Sequence, residues 1–415
     1  MRVLKHIVII GAGPAGLMAA ITAAEKYKDS SATVTLLEKN ERAGRKLMIT
    51  GKGRCNVTNN CDLDTLIANT PKNARFLYSA FSAFSPEDVM SFFEANRVPL
   101  KTERGNRVFP VSDKAVDIVD ALVNAAKKLK VKFINNTAIS IITSDEKVTG
   151  ITLNNGESIT ADSVILATGG MSYPVTGSTG DGYRIANELG HTVTEIVPSL
   201  VPLQCHEGFC SRLSGLSLKN VNLSVYEQDR KKPVFSDQGE MLFTHFGISG
   251  PLVLSSSAYI RKLSKKQYTA VIDLKPALTI EQLDKRILRD FGELTNKDFS
   301  NSLDMLLPKS LIPVIVNLSE IPPDRKVNQI SREERMRLVT LIKNFTLHIT
   351  SFRPIEEAII TSGGISVKEI NPATMESKLI SGLFFAGEII DTDAFTGGFN
   401  LQIAFSTGYL AGKNV

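Results

Sequence analysis

Three glycines near the start of the chain, Gly11, Gly13 and Gly16, have the spacing at which a polypeptide binds the pyrophosphate of a dinucleotide. In such a turn one glycine makes the bend, one lets the backbone approach the phosphates, and one packs a helix against a sheet. Glu38 follows 22 residues after Gly16, at the distance where a carboxylate binds a ribose hydroxyl. The alternative is an acid at a strand end that only faces water. An acid here also argues against a 2′-phosphorylated nucleotide.

The residues around the glycines predict the elements that must position them. Residues 6–10 form a continuous, mostly β-branched apolar run, typical of a parallel strand buried on both faces. The segment after the glycines is rich in Ala, Leu and Met, which favours a helix whose first N–H groups face the phosphates. Residues 33–37 predict a second strand that ends at Glu38. Strand, glycine turn, helix and strand therefore occur in the order of a dinucleotide-binding fold.

A basic, glycine-rich loop follows Glu38. Between residues 41 and 54 it carries five basic side chains against one acid, a net charge of +4 that suits a pyrophosphate or another anionic ligand. Its glycines permit close backbone approach; the alternative is a solvated surface loop. The turn and the loop add these residues to the predicted cofactor site: Ala12, Pro14, Ala15, Lys39, Gly44, Arg45, Lys46, Gly53, Arg54, Cys55 and Asn56.

Three later segments place glycines next to an apolar strand or helix. Residues 163–167 form a strand followed by a glycine pair, residues 382–388 combine a strand with a glycine and an acid, and residues 395–402 open a C-terminal helix. The N-terminal dipole of that helix suits the negative charge of a reduced flavin ring. This order of features favours FAD over NAD. It adds to the predicted cofactor site Thr168, Gly169, Gly170, Gly387, Glu388, Gly397, Gly398, Phe399, Asn400, Leu401 and Gln402.

One family of bacterial flavoproteins resembles this sequence over nearly the whole chain. The resemblance lies in the segments GAGPAGLMAA, GRKLMITGKGRCNVTN, RVFPVSDKA, ATGGMSYPVTGSTGDGY, FTHFGISGP, TSGGISVKEI and TGGFNLQIAFSTG. The family is called the aminoacetone-oxidase or BaiN/RdsA-like FAD-binding oxidoreductases. The resemblance implies bound FAD, a Rossmann domain like that of glutathione reductase, and an insert with β-barrel and helical parts. It implies no single substrate, because the family's proposed activities range from amine oxidation through reduction of steroid-like double bonds to reduction of uridine in ribosomal RNA.

The two halves of the predicted cofactor site flank everything between them, so the α/β nucleotide-binding domain must be discontinuous. We assign that domain to residues 1–190 and 375–415. Alternating strand patterns predict a β-rich inserted domain over residues 191–277 and 346–374. Two capping boxes, each ahead of apolar residues at helical spacing, predict a small helical module over residues 278–345.

Three side chains are candidates for the proton transfer that accompanies hydride chemistry at a flavin. His245 lies in a glycine-rich segment and is of the type that most easily exchanges protons near neutral pH; the alternative is a histidine held by packing. Cys55 follows Arg54, whose charge favours a thiolate; the alternative is a buried thiol near the cofactor. Tyr173 follows the glycine pair and either binds the substrate or only packs.

Two further groups of residues are of types that bind ligands. Glu103, Arg104 and Arg107 are candidates for an anionic substrate, with plain surface charge as the alternative. Cys205 and Cys210 have no histidine at metal-ligand spacing. We therefore predict no metal.

Composition and charge limit the classes of function. The chain has 415 residues, 43% hydrophobic and 22% charged, which fits a folded protein of two or three domains and excludes a disordered or fibrous one. Its net charge of +5 is too low to indicate nucleic-acid binding by itself, and the basic runs of the insert interleave with acids as on a solvated face. Four cysteines without paired spacing indicate a reducing, cytoplasmic compartment. No apolar run approaches the length of a membrane-spanning helix.

The leading hypothesis is an FAD-dependent oxidoreductase that transfers a hydride between flavin N5 and an alkene-like or amine-like carbon of a small molecule, with NAD(P)H as a transient electron donor. The alternative is an RNA-modifying flavoprotein whose insert docks structured ribosomal RNA and presents one uridine for reduction to dihydrouridine. A weaker alternative is a redox-sensing or binding module that holds FAD as a structural element. The sequence indicates no membrane association and no stable protein partner.

Overall fold

The structure has two units, and the first contains a parallel sheet. The computed structural model describes residues 5–29 and 32–415. The first unit is Met1–Ser199 with Ile355–Val415, and the second is Leu200–Pro354. The strands of the first unit are β1 Lys5–Ile10, β2 Ala32–Glu38, β3 Thr58–Asn59, β4 Leu100–Glu103, β5 Arg107–Pro110, β6 Lys132–Asn135, β7 Ala138–Ser144, β8 Lys147–Leu153, β9 Ser158–Thr160, β10 Ser163–Leu166, β11 Val197–Ser199, β18 Ile360–Ser362 and β19 Leu383–Phe385. Its helices are α1 Pro14–Lys26, α2 Arg45–Ile49, α3 Leu63–Ala68, α4 Tyr78–Ala83, α5 Pro86–Ala95, α6 Ala115–Lys128, α7 Asp181–Glu188 and α13 Phe399–Asn414.

The central sheet has five strands in the order β19-β10-β1-β2-β6, and all of its pairings are parallel. Ile7, Val8 and Ile9 of β1 are fully buried. This burial confirms the strand that the continuous apolar run predicts. The predicted strands at residues 33–37 and 163–167 are also present, as β2 and β10. The α/β class is therefore confirmed.

Two glycines let α13 pack closely against α1. A Cβ on Gly408 would lie 2.3 Å from the carbonyl oxygen of Ala15, and a Cβ on Gly412 would lie 2.4 Å from that of Ala19. Because the contacts follow the same order on both helices, the helices run in the same direction. Ala15 is the second residue of α1, whereas Gly408, which it contacts, is the tenth residue of α13. The N-terminal end of α13 therefore extends eight residues beyond that of α1. At 1.5 Å per residue, the two helix starts are displaced along the axis by roughly 12 Å.

Three smaller antiparallel sheets complete the first unit, in the orders β3-β5-β4, β7-β8-β9 and β11-β18. The last of these lies outside the predicted limits of the nucleotide-binding domain. Residues 191–199 and 355–374 belong to the first unit, in which β11 and β18 pair with each other. The sequence patterns instead predict that these segments belong to the inserted domain.

The second unit is a closed barrel with attached helices. Its strands are β12 Leu203–Cys205, β13 Ser217–Glu227, β14 Phe235–Thr244, β15 Gly247–Ser249, β16 Tyr268–Asp273 and β17 Phe345–Phe352, in the order β12-β15-β14-β13-β16-β17. Its helices are α8 Phe209–Arg212, α9 Pro251–Ser257, α10 Ile280–Glu293, α11 Ile312–Leu318 and α12 Arg332–Lys343. Both predicted capping boxes are present, at the starts of α10 and α12. Leu283 and Leu338 of these helices share one hydrophobic core with Leu223 of the barrel, so the helical module is not a separate domain.

Candidate cofactor and active site

A cavity of about 480 Å³ lies in the first unit, at the carboxyl edge of the parallel sheet. Its wall includes the last residues of β1 and β2 and the first residues of α1 and α13. Open α/β sheets bind ligands at this edge, and a cavity of this size is typical of small-molecule and cofactor sites. The unpaired N–H groups at both helix starts favour negative charge inside the cavity.

The three glycines of the predicted turn have different tasks. Gly11 has a φ of +103°, and a Cβ there would lie 2.5 Å from the carbonyl oxygen of Ala167. A Cβ on Gly16 would lie 1.8 Å from the carbonyl oxygen of Gly11, so Gly16 lets α1 pack on the turn. A Cβ on Gly13, which lines the cavity, would meet no atom within 4 Å. The space beside Gly13 is therefore open to a ligand group that approaches the backbone.

Glu38 lines the cavity and is oriented by hydrogen bonds from neutral groups. Its Oε2 accepts from the N–H of Ala12 at 2.9 Å. Its Oε1 accepts from the backbone N–H of Asn40 at 2.9 Å and from the side-chain amide of the same residue at 2.6 Å. A carboxylate has about four acceptor positions, so Glu38 retains capacity for a hydroxyl group of a ligand.

Glu388 is a second carboxylate in the wall, and it is held by a charged partner. Its Oε2 lies 2.7 Å from Nζ of Lys46. Its Oε1 accepts from the N–H of Thr361 at 2.8 Å and from the hydroxyl of Ser172 at 3.2 Å. Since Glu388 neutralises Lys46, only part of the charge of the basic loop is available to an anionic ligand.

The start of α13 is built on β3. Gly398 has a φ of +99°, and a Cβ there would lie 2.3 Å from the carbonyl oxygen of Thr58. The side-chain amide of Asn59 donates to the carbonyl oxygens of Gly105 and Gly397, both at 3.0 Å. Asn59 thereby ties the β4–β5 turn to the residues that open α13.

Three buried side-chain oxygens in the wall have no hydrogen-bond partner within residues 5–29 and 32–415. They are Oδ1 of Asn56, Oγ1 of Thr168 and Oγ1 of Thr392. A buried polar atom without a partner costs about 1–3 kcal/mol, so these atoms point to a polar ligand. Together with the open space at Gly13, they fit a dinucleotide that carries hydroxyl, carbonyl and phosphate groups.

Most residues predicted to bind the cofactor lie in the wall of this cavity. They are Gly11, Gly13, Pro14, Ala15, Glu38, Lys39, Gly44, Arg45, Lys46, Asn56, Thr168, Gly169, Gly387, Glu388, Gly397, Gly398, Asn400 and Leu401. The predicted residues that do not line it are Ala12, Gly16, Gly53, Arg54, Cys55, Gly170, Phe399 and Gln402. The contacts of the first group with FAD stay a prediction.

Arg54 and Cys55 lie beside the cavity, and each has partners or surroundings within the protein. The Arg54 guanidinium pairs with Glu103 at 2.5 Å and with Asp113 at 2.6 Å. Hydrogen bonding between Arg54 and Glu103 raises the pKa of the guanidinium and lowers that of the carboxyl. Cys55 is fully buried, and burial raises the pKa of its thiol to about 12. This agrees with the alternative of a buried thiol, and a role of Cys55 in proton transfer stays a prediction.

Gln402 and Gly170 hold the protein framework together instead of lining the cavity. The Gln402 side chain is fully buried, accepts from the hydroxyl of Thr58 at 2.5 Å and donates to the carbonyl oxygen of Phe84 at 2.9 Å. A Cβ on Gly170 would lie 2.4 Å from Oγ1 of Thr361. Both residues therefore act at internal contacts of the first unit.

Tyr173 and His245, the other catalytic candidates, also lie outside the wall of the cavity. Tyr173 has a left-handed φ of +52°, and its carbonyl oxygen accepts from the N–H of Thr176. His245 belongs to the second unit, at the exposed turn between β14 and β15, with its ring 5.0 Å from that of Phe246. His245 is exposed and its ring contacts that of its loop neighbour Phe246, so both the catalytic role and the alternative of packing within the loop stay predictions.

Local sequence patterns do not predict one side of the cavity. Lys39 donates to Asp181 at 2.6 Å, and the Asn40 side chain donates to the carbonyl oxygen of Thr176 at 3.2 Å. These bonds fix the segment after β10 beside the end of β2. The residues of that segment in the wall are Thr176, Gly177, Ser178 and Asp181. Only the family motif that spans this segment carried a signal for them.

Some classes of site find no support in residues 5–29 and 32–415. Cys205 and Cys210 are free thiols, and no group of three His, Cys, Asp or Glu side chains in these ranges is arranged to hold a metal ion. No helix in the same ranges combines the length and the apolar character needed to cross a membrane.

Comparison with known proteins assigns this architecture to a family. The family described as HI0933-like protein Rossmann domain matches residues 5–414. Over 414 residues the chain is 31% identical to the 3-dehydro-bile acid delta(4,6)-reductase of Clostridium scindens, covering 99% of this chain and 98% of that protein. It is 31% identical over 414 residues to a ribosomal RNA dihydrouridine synthase of Haemophilus influenzae, covering 98% of each chain. It is 29% identical over 409 residues to a protein of the same name from Escherichia coli, covering 98% of this chain and 97% of that one.

Proposed function

The chain belongs to the HI0933-like Rossmann family of FAD-dependent oxidoreductases, and from this we propose that it reduces an activated carbon–carbon double bond in a small molecule. The observation that carries the proposal is the full-length similarity to a 3-dehydro-bile acid delta(4,6)-reductase. In a substrate with that name, the double bonds are conjugated to a 3-oxo group. The dihydrouridine synthases among the relatives also act on a double bond next to a carbonyl group. Conjugation is thus the chemical feature that the named reactions share.

The cavity supplies the positioning that such a reaction needs. Bound FAD would deliver a hydride from flavin N5 to the β-carbon of the conjugated system. Glu38 would hold a ribose hydroxyl, and the open backbone at Gly13 would face the pyrophosphate. The first N–H groups of α13 would favour negative charge at the flavin ring. As the donor of the proton for the α-carbon we keep His245, because histidine is the residue type that most often serves in proton transfer.

The electron donor in this proposal is NAD(P)H, bound transiently. The sequence contains one strong dinucleotide fingerprint, which we assign to FAD, and this supports a transient encounter with the donor. The four cysteines are free, which agrees with the reducing, cytoplasmic compartment that we predict.

The first prediction tests the cofactor and the reaction together. We expect the purified protein to release FAD on denaturation, to be reduced anaerobically by NADH or NADPH, and to be reoxidised by a 3-oxo-Δ4 steroid acid. Stopped-flow absorbance of the flavin measures both half-reactions. The same steroid with a saturated ring serves as the control and should leave the flavin reduced. Release of FMN alone, or reoxidation by an amine-derived imine but not by the enone, would overturn the proposal.

A second candidate function, reduction of uridine in ribosomal RNA, is favoured by charge in the second unit. Residues 200–354 carry 22 basic against 16 acidic side chains, a net charge of +6, whereas the first unit has a net charge of −1.

Two basic loops meet at one end of the barrel. Glu227 pairs in register with Tyr268, and the N–H of Gln228 donates to the carbonyl oxygen of Gln267 at 2.9 Å. The loops that follow β13 and precede β16 therefore lie side by side. Their basic side chains are Arg230, Lys231, Lys232, Arg261, Lys262, Lys265 and Lys266. Glu227 neutralises part of this positive charge, since it pairs with Lys266 at 2.6 Å and with Arg230 at 3.4 Å.

The second prediction therefore concerns the loop after β13. If RNA docks here, replacing Arg230, Lys231 and Lys232 by Ala should weaken binding of a ribosomal RNA fragment and reduce the salt slope by about 2, because Arg230 is partly engaged by Glu227. Filter binding over a range of salt concentrations measures the slope. A matched control replaces the exposed Lys127, Lys128 and Lys130 of the first unit. If the two variants have equal salt slopes for RNA binding, RNA does not dock on this loop, and the small-molecule function stands without the RNA alternative.

A further inference from the structure

The basic side chains in the cavity wall differ in their partners. Lys39 and Lys46 each pair with a carboxylate. Two arginines in the wall, Arg45 and Arg107, have no carboxylate partner within the described part of the chain. Arg45 donates instead to Oδ1 of Asn40 at 3.0 Å, which places it beside the end of the cavity where Glu38 would hold a ribose.

Arg107 lies at the other end of the cavity. Its backbone pairs in register with Asn59 of β3, and the side chain of Asn59 binds Gly397 at the start of α13. The start of α13 is displaced from that of α1 by roughly 12 Å along the helix axes. A pyrophosphate at Gly13 would therefore lie too far away to be the partner of Arg107.

The Arg107 side chain is oriented but not neutralised. Its Nε donates to the carbonyl oxygen of Arg104 at 3.1 Å, and the guanidinium carbon lies 5.9 Å from the centre of the Phe109 ring. These contacts leave the two terminal nitrogens without a hydrogen bond to the described residues. Glu103, the nearest acid in sequence, is occupied by Arg54. Arg107 is exposed, so it can meet a group that arrives from solvent.

We propose that Arg107 recognises a carboxylate of the substrate at the mouth of the cavity, a specificity role that rests on the proposed small-molecule function. A guanidinium binds a planar oxyanion through two parallel N–H groups, which gives direction as well as charge. The substrate is then an enone that also carries an acidic group. Its double bond is reduced at one position, and its acidic group is bound by Arg107 at another.

The third prediction tests this role with FAD-loaded protein. The probes are a 3-oxo-Δ4 steroid acid and its methyl ester, which differ only in the charge. Arg107→Gln should raise KM for the acid about tenfold, since an exposed charge-assisted hydrogen bond gives the lower part of the usual range. It should leave kcat, KM for the ester and FAD content unchanged. Arg107→Lys should restore part of the affinity, and Arg104→Gln, exposed in the same turn but outside the wall, is the matched control.

Equilibrium binding of the same probes to the oxidised holoprotein separates this role from turnover. A tenfold loss of acid binding in Arg107→Gln supports the proposal even if the wild type reduces neither probe, in which case only the assigned reaction fails. A short uridine-containing oligonucleotide forms a second arm: loss of its binding alone would assign Arg107 to a phosphate and overturn the carboxylate. Equal effects on acid and ester, a fall in kcat for both, or no effect on any probe would also overturn it.

Discussion

Gly13→Val is expected to weaken FAD binding by at least about 100-fold while leaving the protein folded. The backbone at Gly13 has a φ of −77° and a ψ of −177°, an extended conformation that valine adopts readily. Apart from its chain neighbours, no described residue has an atom within 4 Å of a Cβ at this position, so the new side chain would start from open space in the wall of the cavity. It would occupy the space through which a pyrophosphate reaches the N–H groups at the start of α1.

The expected loss of affinity is at least about 100-fold, or roughly 2.7 kcal/mol, because each charge-assisted hydrogen bond to a phosphate contributes on the order of 1.5–3 kcal/mol. The unliganded variant should melt within about 4 °C of the unliganded wild type. The weaker helix cap and the reduced freedom of the unfolded chain have opposite effects of similar size. Flavin absorbance after dialysis measures occupancy, and thermal melting of apoprotein measures stability.

Two control variants separate cofactor binding from folding. Gly208 also caps a helix start, α8, with a negative φ and no atom within 4 Å of an added Cβ. Gly208→Val should therefore keep both FAD and the melting temperature. Gly16→Ala places its Cβ 1.8 Å from the carbonyl oxygen of Gly11 and should lose both. Full FAD occupancy in Gly13→Val would mean that the cofactor does not bind in this cavity.

The parts of the fold that the sequence predicts well are those determined by neighbours in the chain. The apolar run of β1 needs only its own residues to indicate a buried strand. The capping boxes at α10 and α12 each lie within four residues, and both are present. Gly11 is favoured by its own positive φ of +103°, and Gly16 by a contact with Gly11 inside the same turn. A local steric or hydrogen-bonding rule was sufficient in each of these cases.

The parts that the sequence missed depend on partners far apart in the chain. Lys46 and Glu388 were each predicted to bind the cofactor, but their ion pair joins positions 342 residues apart. The sequence pattern relates the charge of Arg54 to the thiol of its neighbour Cys55. In the structure, the Arg54 guanidinium pairs with Glu103 and Asp113. No local pattern states which acid neutralises which base. The same limitation explains why β11 and β18 were assigned to the insert.

His245→Ala is expected to keep FAD and lose turnover by about 10²–10⁴-fold, the range for removal of a proton-transfer group. His245 is exposed at the turn between β14 and β15, where its ring lies 5.0 Å from that of Phe246. A histidine in such a position can exchange protons with a substrate without breaking a structural bond. Its removal should therefore cost little stability.

The measurement is the rate of flavin reoxidation by the 3-oxo-Δ4 steroid acid, followed by stopped-flow between pH 6 and 9. If His245 donates the proton, the wild type should reoxidise at least about 100-fold faster than the variant across this range. His348→Ala is the control, since His348 is another exposed histidine of the second unit, paired with Glu207 at 2.6 Å. A reoxidation rate in His245→Ala within twofold of the wild type across this pH range would exclude His245 as the donor. The proton would then have to come from another side chain or from water, and Tyr173 would be the next candidate, because Cys55 is buried with the pKa of its thiol raised to about 12.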